Sequence, residues 1–199
     1  MVRKLFTDPD AFFAEQAENA PLRWPVLVVV TAGATSAGTT FAVAPRVLEN
    51  VPEGVEAFAA VGFGIGSLYS FVSAVMIWLV YSGVFFLLSH HLGGDGEFRR
   101  LVRLTGWGFL PAVMSGVIGF VALLIAVESV GEAAGREQLL TAARSHPAMR
   151  ASELLGRLLF LWQGVLWVFA VKWARDLSLR QAAVTVAIPV AVSLLVSLL

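Results

Sequence analysis

Few side chains in this sequence are equipped for chemistry, and most of them lie close together. His90 and His91 precede Asp95 and Glu97, the donor types of a divalent metal site. On successive helical positions, however, two rings diverge by about 100°. Histidines stabilising the C-terminal dipole of a preceding helix are the simpler expectation, and no metal ligand is assigned. Gly62-Phe63-Gly64-Ile65-Gly66 resembles a nucleotide loop only superficially, lacking both a strand before it and the spacing. There is no H-E-x-x-H, no acidic pair inside an apolar stretch and no Cys, which excludes thiol catalysis, Cys-ligated metals and disulfides. Gln163 is the one strongly polar side chain deep in an apolar run, expected as a hydrogen-bond partner between helices. No catalytic residue or cofactor is expected, and the chain does not read as an enzyme.

The elements that hold these residues are dictated by composition. Of 199 residues, 58% are hydrophobic and 14% charged, with Lys+Arg 14 against Asp+Glu 14. A soluble domain carries about 25% charge and a disordered chain is poorer still in apolar residues. Zero net charge argues against a basic nucleic-acid surface. The expected class is all-α, a polytopic membrane helical bundle.

A hydrocarbon core of about 30 Å needs roughly 20 helical residues. Uncharged runs lie between Arg23 and Arg46, Glu56 and Asp95, Arg103 and Glu128, and Arg157 and Lys172, and a last one follows Arg180. Five transmembrane helices are predicted, near 25–45, 67–89, 107–127, 154–173 and 181–199, in one domain spanning 1–199. Glycines 62, 64 and 66 should form a lead-in ahead of the second span, because they weaken a helix start. Arg157 and Lys172 should snorkel to opposite interfaces.

With the N-terminus inside, Arg3, Lys4, Arg23, Arg99, Arg100, Arg103, Lys172, Arg175 and Arg180 are cytoplasmic, against five basic residues outside. That bias predicts a cytoplasmic N-terminus and an external C-terminus. Trp24, Trp107 and Trp173 would then share the inner interface. No cleavable leader is expected, so the first span should remain as an anchor.

Phe6–Ala20 reads as a short N-terminal amphipathic helix, capped by Asp8 with Pro9 first, lying on the inner surface or docked on the spans. Phe12 and Phe13 are its candidate lipid contacts. Gly93 should end the second span in a left-handed cap, and Asp95 should start the next helix. There Phe98, Leu101 and Val102 would face lipid, while Arg99, Arg100 and Arg103 meet water, phosphates or a partner. The outer loop should hold a short helix at Arg136–Arg144, with His146 in a turn. Small residues four apart (Gly62, Gly66, Ser70, Ala74; Gly108, Ala112, Gly116) predict close helix packing inside the bundle ahead of a homo-oligomer face. Pro111 and Pro189 invite kinks.

These residues also carry a resemblance. Pro9 and Phe12, the L-G-G-x-G-x-F loop (Leu92, Gly93, Gly94, Gly96, Phe98), Gly106-Trp107 with Pro111, and a W-x-x-x-L fourth span look like the Yip family, named for interaction with Ypt/Rab GTPases in vesicle traffic. The D-L-x-G-P element of eukaryotic members is absent, so the chain is most similar to compact bacterial and archaeal members. The resemblance implies a location in the cell membrane. The absence of charge inside the spans, together with two inner amphipathic elements, predicts a non-enzymatic integral membrane scaffold contacting lipids and an unidentified protein partner. The alternative is a passive conduit for lipid or small solutes.

Overall fold

The computed structural model describes residues 2–19, 21–48, 51, 54–129, 141 and 145–196, which are helix and turn with no strand among them. Its helices are α1 (Val2–Thr7), α2 (Pro9–Asn19), α3 (Arg23–Leu48), α4 (Glu56–His91), α5 (Phe98–Trp107), α6 (Leu110–Glu128), α7 (Pro147–Arg175) and α8 (Leu179–Val196). Five segments are long and apolar enough to cross a bilayer, with α5 and α6 counted together. Their most apolar windows have mean hydropathies of 1.4 to 2.5, yet only 17% to 33% of those residues are buried. Apolar surface on that scale requires lipid around it.

The predicted spans are all present, with shifted bounds. The glycine-rich lead-in is part of a helix: α4 runs unbroken for 36 residues, about 54 Å of axis. The three glycines lower helix propensity, but the helix does not break at them. Pro111 is the second residue of α6, where its missing N–H has no intrahelical acceptor to lose. The helix expected at Arg136–Arg144 lies outside the described residues. His146 precedes α7 and its Nδ1 accepts the Ala148 amide at 3.1 Å, which makes it a helix cap.

Contacts divide the chain into two units. The first comprises Met1–Val29, Val75–Pro111 and Phe160–Leu199, the second Val30–Ala74 and Ala112–Leu159. In the second, small residues bring helices together: a Cβ on Gly33 would lie 2.8 Å from the Phe71 carbonyl oxygen, and one on Gly116 would overlap Thr35. Gly38, Gly62, Gly64 and Gly119 face open space, so the expected ridges are only partly used.

The first unit holds the larger side chains. Trp167, fully buried, stacks among Tyr81, Phe85 and Phe109, with ring centroids 4.5 to 5.7 Å apart. Its indole donates to the Thr105 carbonyl at 3.1 Å, and Thr105 shares a 2.7 Å hydroxyl contact with Ser82. Trp78 donates to the Val102 carbonyl at 2.9 Å. Both indole N–H groups thereby find acceptors on α5 inside the protein.

Candidate functional site

The glycines of the 92–96 loop have distinct tasks. Gly93 has φ +85°, and its amide bonds the His90 carbonyl while that of Gly94 bonds the Ser89 carbonyl at 2.9 Å. That pair of bonds is a Schellman cap, and the left-handed residue at its centre favours glycine. Gly94 and Gly96 are small for another reason. A Cβ on Gly94 would sit 2.9 Å from the Ser89 oxygen, and one on Gly96 would collide with the Ala174 carbonyl. The loop is pressed against the end of α7.

Arg175 locks it there. Only 2% exposed, it donates from Nε to Ser89 Oγ at 3.0 Å and from a terminal nitrogen to the Gly94 carbonyl. Its guanidinium lies 4.3 Å from the Phe86 ring centre, and its own carbonyl accepts the Asp95 amide at 3.1 Å. The chain then turns at Asp176, in the left-handed region at φ +53°. Sequence reasoning placed Arg175 among the cytoplasmic charges and missed its burial.

Asp95 does not start the next helix. α5 begins three residues later at Phe98, and the Asp95 amide instead bonds the Arg175 carbonyl. Glu97 takes the N-cap position in extended conformation without a side-chain cap bond. Leu101, expected on lipid, is fully buried with Leu104, whereas Phe98 stays 43% exposed beside the Phe86 ring. Gly106 and Gly108 admit neighbours: a Cβ on the first would lie 2.8 Å from Pro25 Cβ, and one on the second would overlap the Trp167 indole. His91 Nδ1 contacts the Leu87 carbonyl at 2.8 Å, and the two histidine rings are 6.2 Å apart.

The N-terminal segment folds as two helices. Asp8 caps α2 by accepting the Ala11 amide at 3.1 Å, as its sequence suggests, while α1 had no expected counterpart. Phe12 and Phe13 are fully buried, and Phe12 stands edge-on to Trp107 at 5.3 Å. They are therefore not lipid contacts: α2 docks on the protein because α5 offers it an apolar, aromatic face. Trp107, 4% exposed, likewise belongs to no interfacial belt, although Trp24 remains 43% exposed.

Polar contacts fasten the docked helix. Asp10 accepts two bonds from Lys172 Nζ, at 2.6 and 2.8 Å, and one from Trp173 Nε1 at 2.6 Å. Lys172 thus pairs within the protein instead of snorkelling. The hydrogen bond from Lys172 chiefly lowers the Asp10 carboxyl below its ordinary 3.8, against the opposing effect of burial; Trp173 and the lysine charge add to the lowering. Arg103 donates to the Ala17 carbonyl at 3.0 Å, and Arg100 reaches Asp176 at 3.2 Å. Arg99 is exposed. Arg99, Arg100 and Arg103 also line a cleft of about 400 Å³ with Pro21, Leu22 and Glu97.

Long apolar helices bearing a polar assembly of this kind define a multi-pass helical membrane protein. More specifically, a family model described as the Yip1 domain matches residues 3–199, and the chain belongs to that family. It is similar to "Uncharacterized protein MJ0794" of Methanocaldococcus jannaschii, 28% identical over 116 residues that cover 56% of this chain and 80% of the relative. No solved structure matches it.

Proposed function

We propose that this chain is a non-enzymatic integral membrane scaffold, set in the cell membrane with its N-terminus in the cytoplasm, that presents the first unit's polar surface to a protein partner. One observation carries the reading. Residues distant in sequence are tied by directed polar contacts into a fixed surface: Asp10 to Lys172 and Trp173, Arg103 to Ala17, Arg175 to Gly94, and Gln181 to the Leu92 carbonyl. Crossing a bilayer does not require these bonds, whereas a preformed docking face gains from them by having less to order on binding. Membership in a family named for contacts with GTPases supports the same reading.

The experiment is in-cell photocrosslinking from position 99 with affinity capture. A discrete set of captured proteins is expected, lost when Glu97 and Arg100 are exchanged for residues of opposite charge at unchanged expression. Saturable solute transport by the purified chain in proteoliposomes would contradict the scaffold.

A second reading, a passive conduit for lipid or small solutes, draws on Gly38, Gly62, Gly64 and Gly119, whose missing side chains face open space. Dye or fluorescent-lipid flux through vesicles containing the protein tests it, and no flux under any gradient removes it.

A further inference from the structure

The cleft lined by Pro21, Leu22, Glu97, Arg99, Arg100 and Arg103 has more donors than the protein uses. Arg100 spends a terminal nitrogen on Asp176 and Arg103 spends one on the Ala17 carbonyl. The Nε atoms of both are enclosed and have no hydrogen-bond partner. Leaving such donors enclosed and unbonded is costly, and more so when they carry charge. Three guanidinium groups face two carboxylates, Glu97 on the wall and Asp176 behind Arg100, so positive charge remains in excess.

Backbone adds to the side chains. Glu97 caps α5 without a side-chain bond, so the first-turn amides at Phe98–Arg100 have neither an intrahelical acceptor nor that carboxylate. α3 also begins at the cleft, just after Pro21 and Leu22. Two helix N-termini and three guanidiniums therefore border one recess, and each favours an anion. A group with several acceptor oxygens matches donors that approach from different elements, which a single carboxylate does less well.

We propose that this cleft binds a phosphate monoester, with the guanidinium groups of Arg99, Arg100 and Arg103, which line it, as its main contacts. The ester is carried either by an anionic lipid headgroup or by a soluble phosphate compound. Leu22, 38% exposed in the cleft lining, and the exposed Trp24 two residues further along the chain provide the apolar surface that a lipid source would use. The inference rests on the scaffold reading, in which this surface is presented at the membrane. It gives that surface a ligand.

The test is thermal unfolding of the purified full-length chain, titrated separately with dioctanoyl phosphatidic acid, dioctanoyl phosphatidylcholine and inorganic phosphate. Ligand binding to the folded state raises the midpoint with concentration. Saturable stabilisation by phosphatidic acid is expected, with none from phosphatidylcholine. Arg99→Gln, an exposed position, should weaken the apparent affinity, and Arg99→Gln with Arg100→Gln should weaken it by about tenfold or more. Arg180→Gln removes the same charge at an exposed position outside the cleft lining and should change it by less than about twofold. Phosphatidic acid acting far below the concentration of inorganic phosphate identifies the lipid source; equal potency identifies the soluble one. Stabilisation by phosphatidylcholine alike, no response of the wild type to either phosphate, or equal losses in Arg180→Gln and the double variant would overturn the site. Since binding is read on the isolated chain, its failure leaves partner capture standing, and failed capture leaves the binding result intact.

Discussion

Gly93, Gly94 and Gly96 show how three identical side chains serve different ends. The first supplies a left-handed backbone and the others supply room, against Ser89 and Ala174. Gly96→Ala should therefore destabilise by about 1–3 kcal/mol, the range for forcing atoms into a packed site, or prevent folding. Gly62→Ala, which meets open space inside α4, should be neutral or stabilise by up to about 1 kcal/mol. Midpoints of thermal unfolding in one detergent compare them directly. Arg175→Ala should cost about 2–4 kcal/mol, because Ser89 and the Gly94 carbonyl lose a charged donor in a buried place. The left-handed role of Gly93 was readable, since a helix ending in Gly-Gly carries that signature. The need for space at Gly96 and the burial of Arg175 were not, because each depends on an element about eighty positions away.

The docking of α2 is where periodicity reached its limit. Its cap at Asp8 and its apolar face at Phe12 and Phe13 were legible, but amphipathicity says that a face is covered and not by what. Trp107 covers it, with Asp10 clasped by Lys172 and Trp173. Phe12→Ala should cost about 3–5 kcal/mol of stability, as for a buried core aromatic; a lipid-facing Phe12 would leave the unfolding midpoint nearly unchanged. Acid should loosen the clasp. The folded Asp10 carboxyl titrates below its ordinary 3.8, so its contribution is complete above that value and is lost as pH falls through the lower one. Tryptophan fluorescence followed from pH 7 towards pH 3 should show a transition below about pH 4 that Asp10→Asn lacks. α4 taught the converse: three glycines lower helix propensity, yet the helix continues through Gly62–Gly66, so propensity alone misplaced its start.

Taken as a whole chain, the five crossings were the most readable feature, because charge-free length against bilayer thickness is a nearly one-dimensional problem. Their orientation rests on the bias of basic residues and has a clean test, since the sequence contains no Cys. Val55→Cys should react with an impermeant maleimide on intact cells, and Glu97→Cys should react only after permeabilisation. The proposed scaffold role depends on the polar assembly being a permanent surface and not a segment that samples the lipid. Hydrogen exchange of the Phe12–Glu18 amides in nanodiscs measures this most directly, comparing wild type with Lys172→Ala. The account predicts strong protection that is independent of lipid charge and falls by about tenfold or more without the lysine. Exchange unchanged by the substitution but set by lipid composition would contradict it.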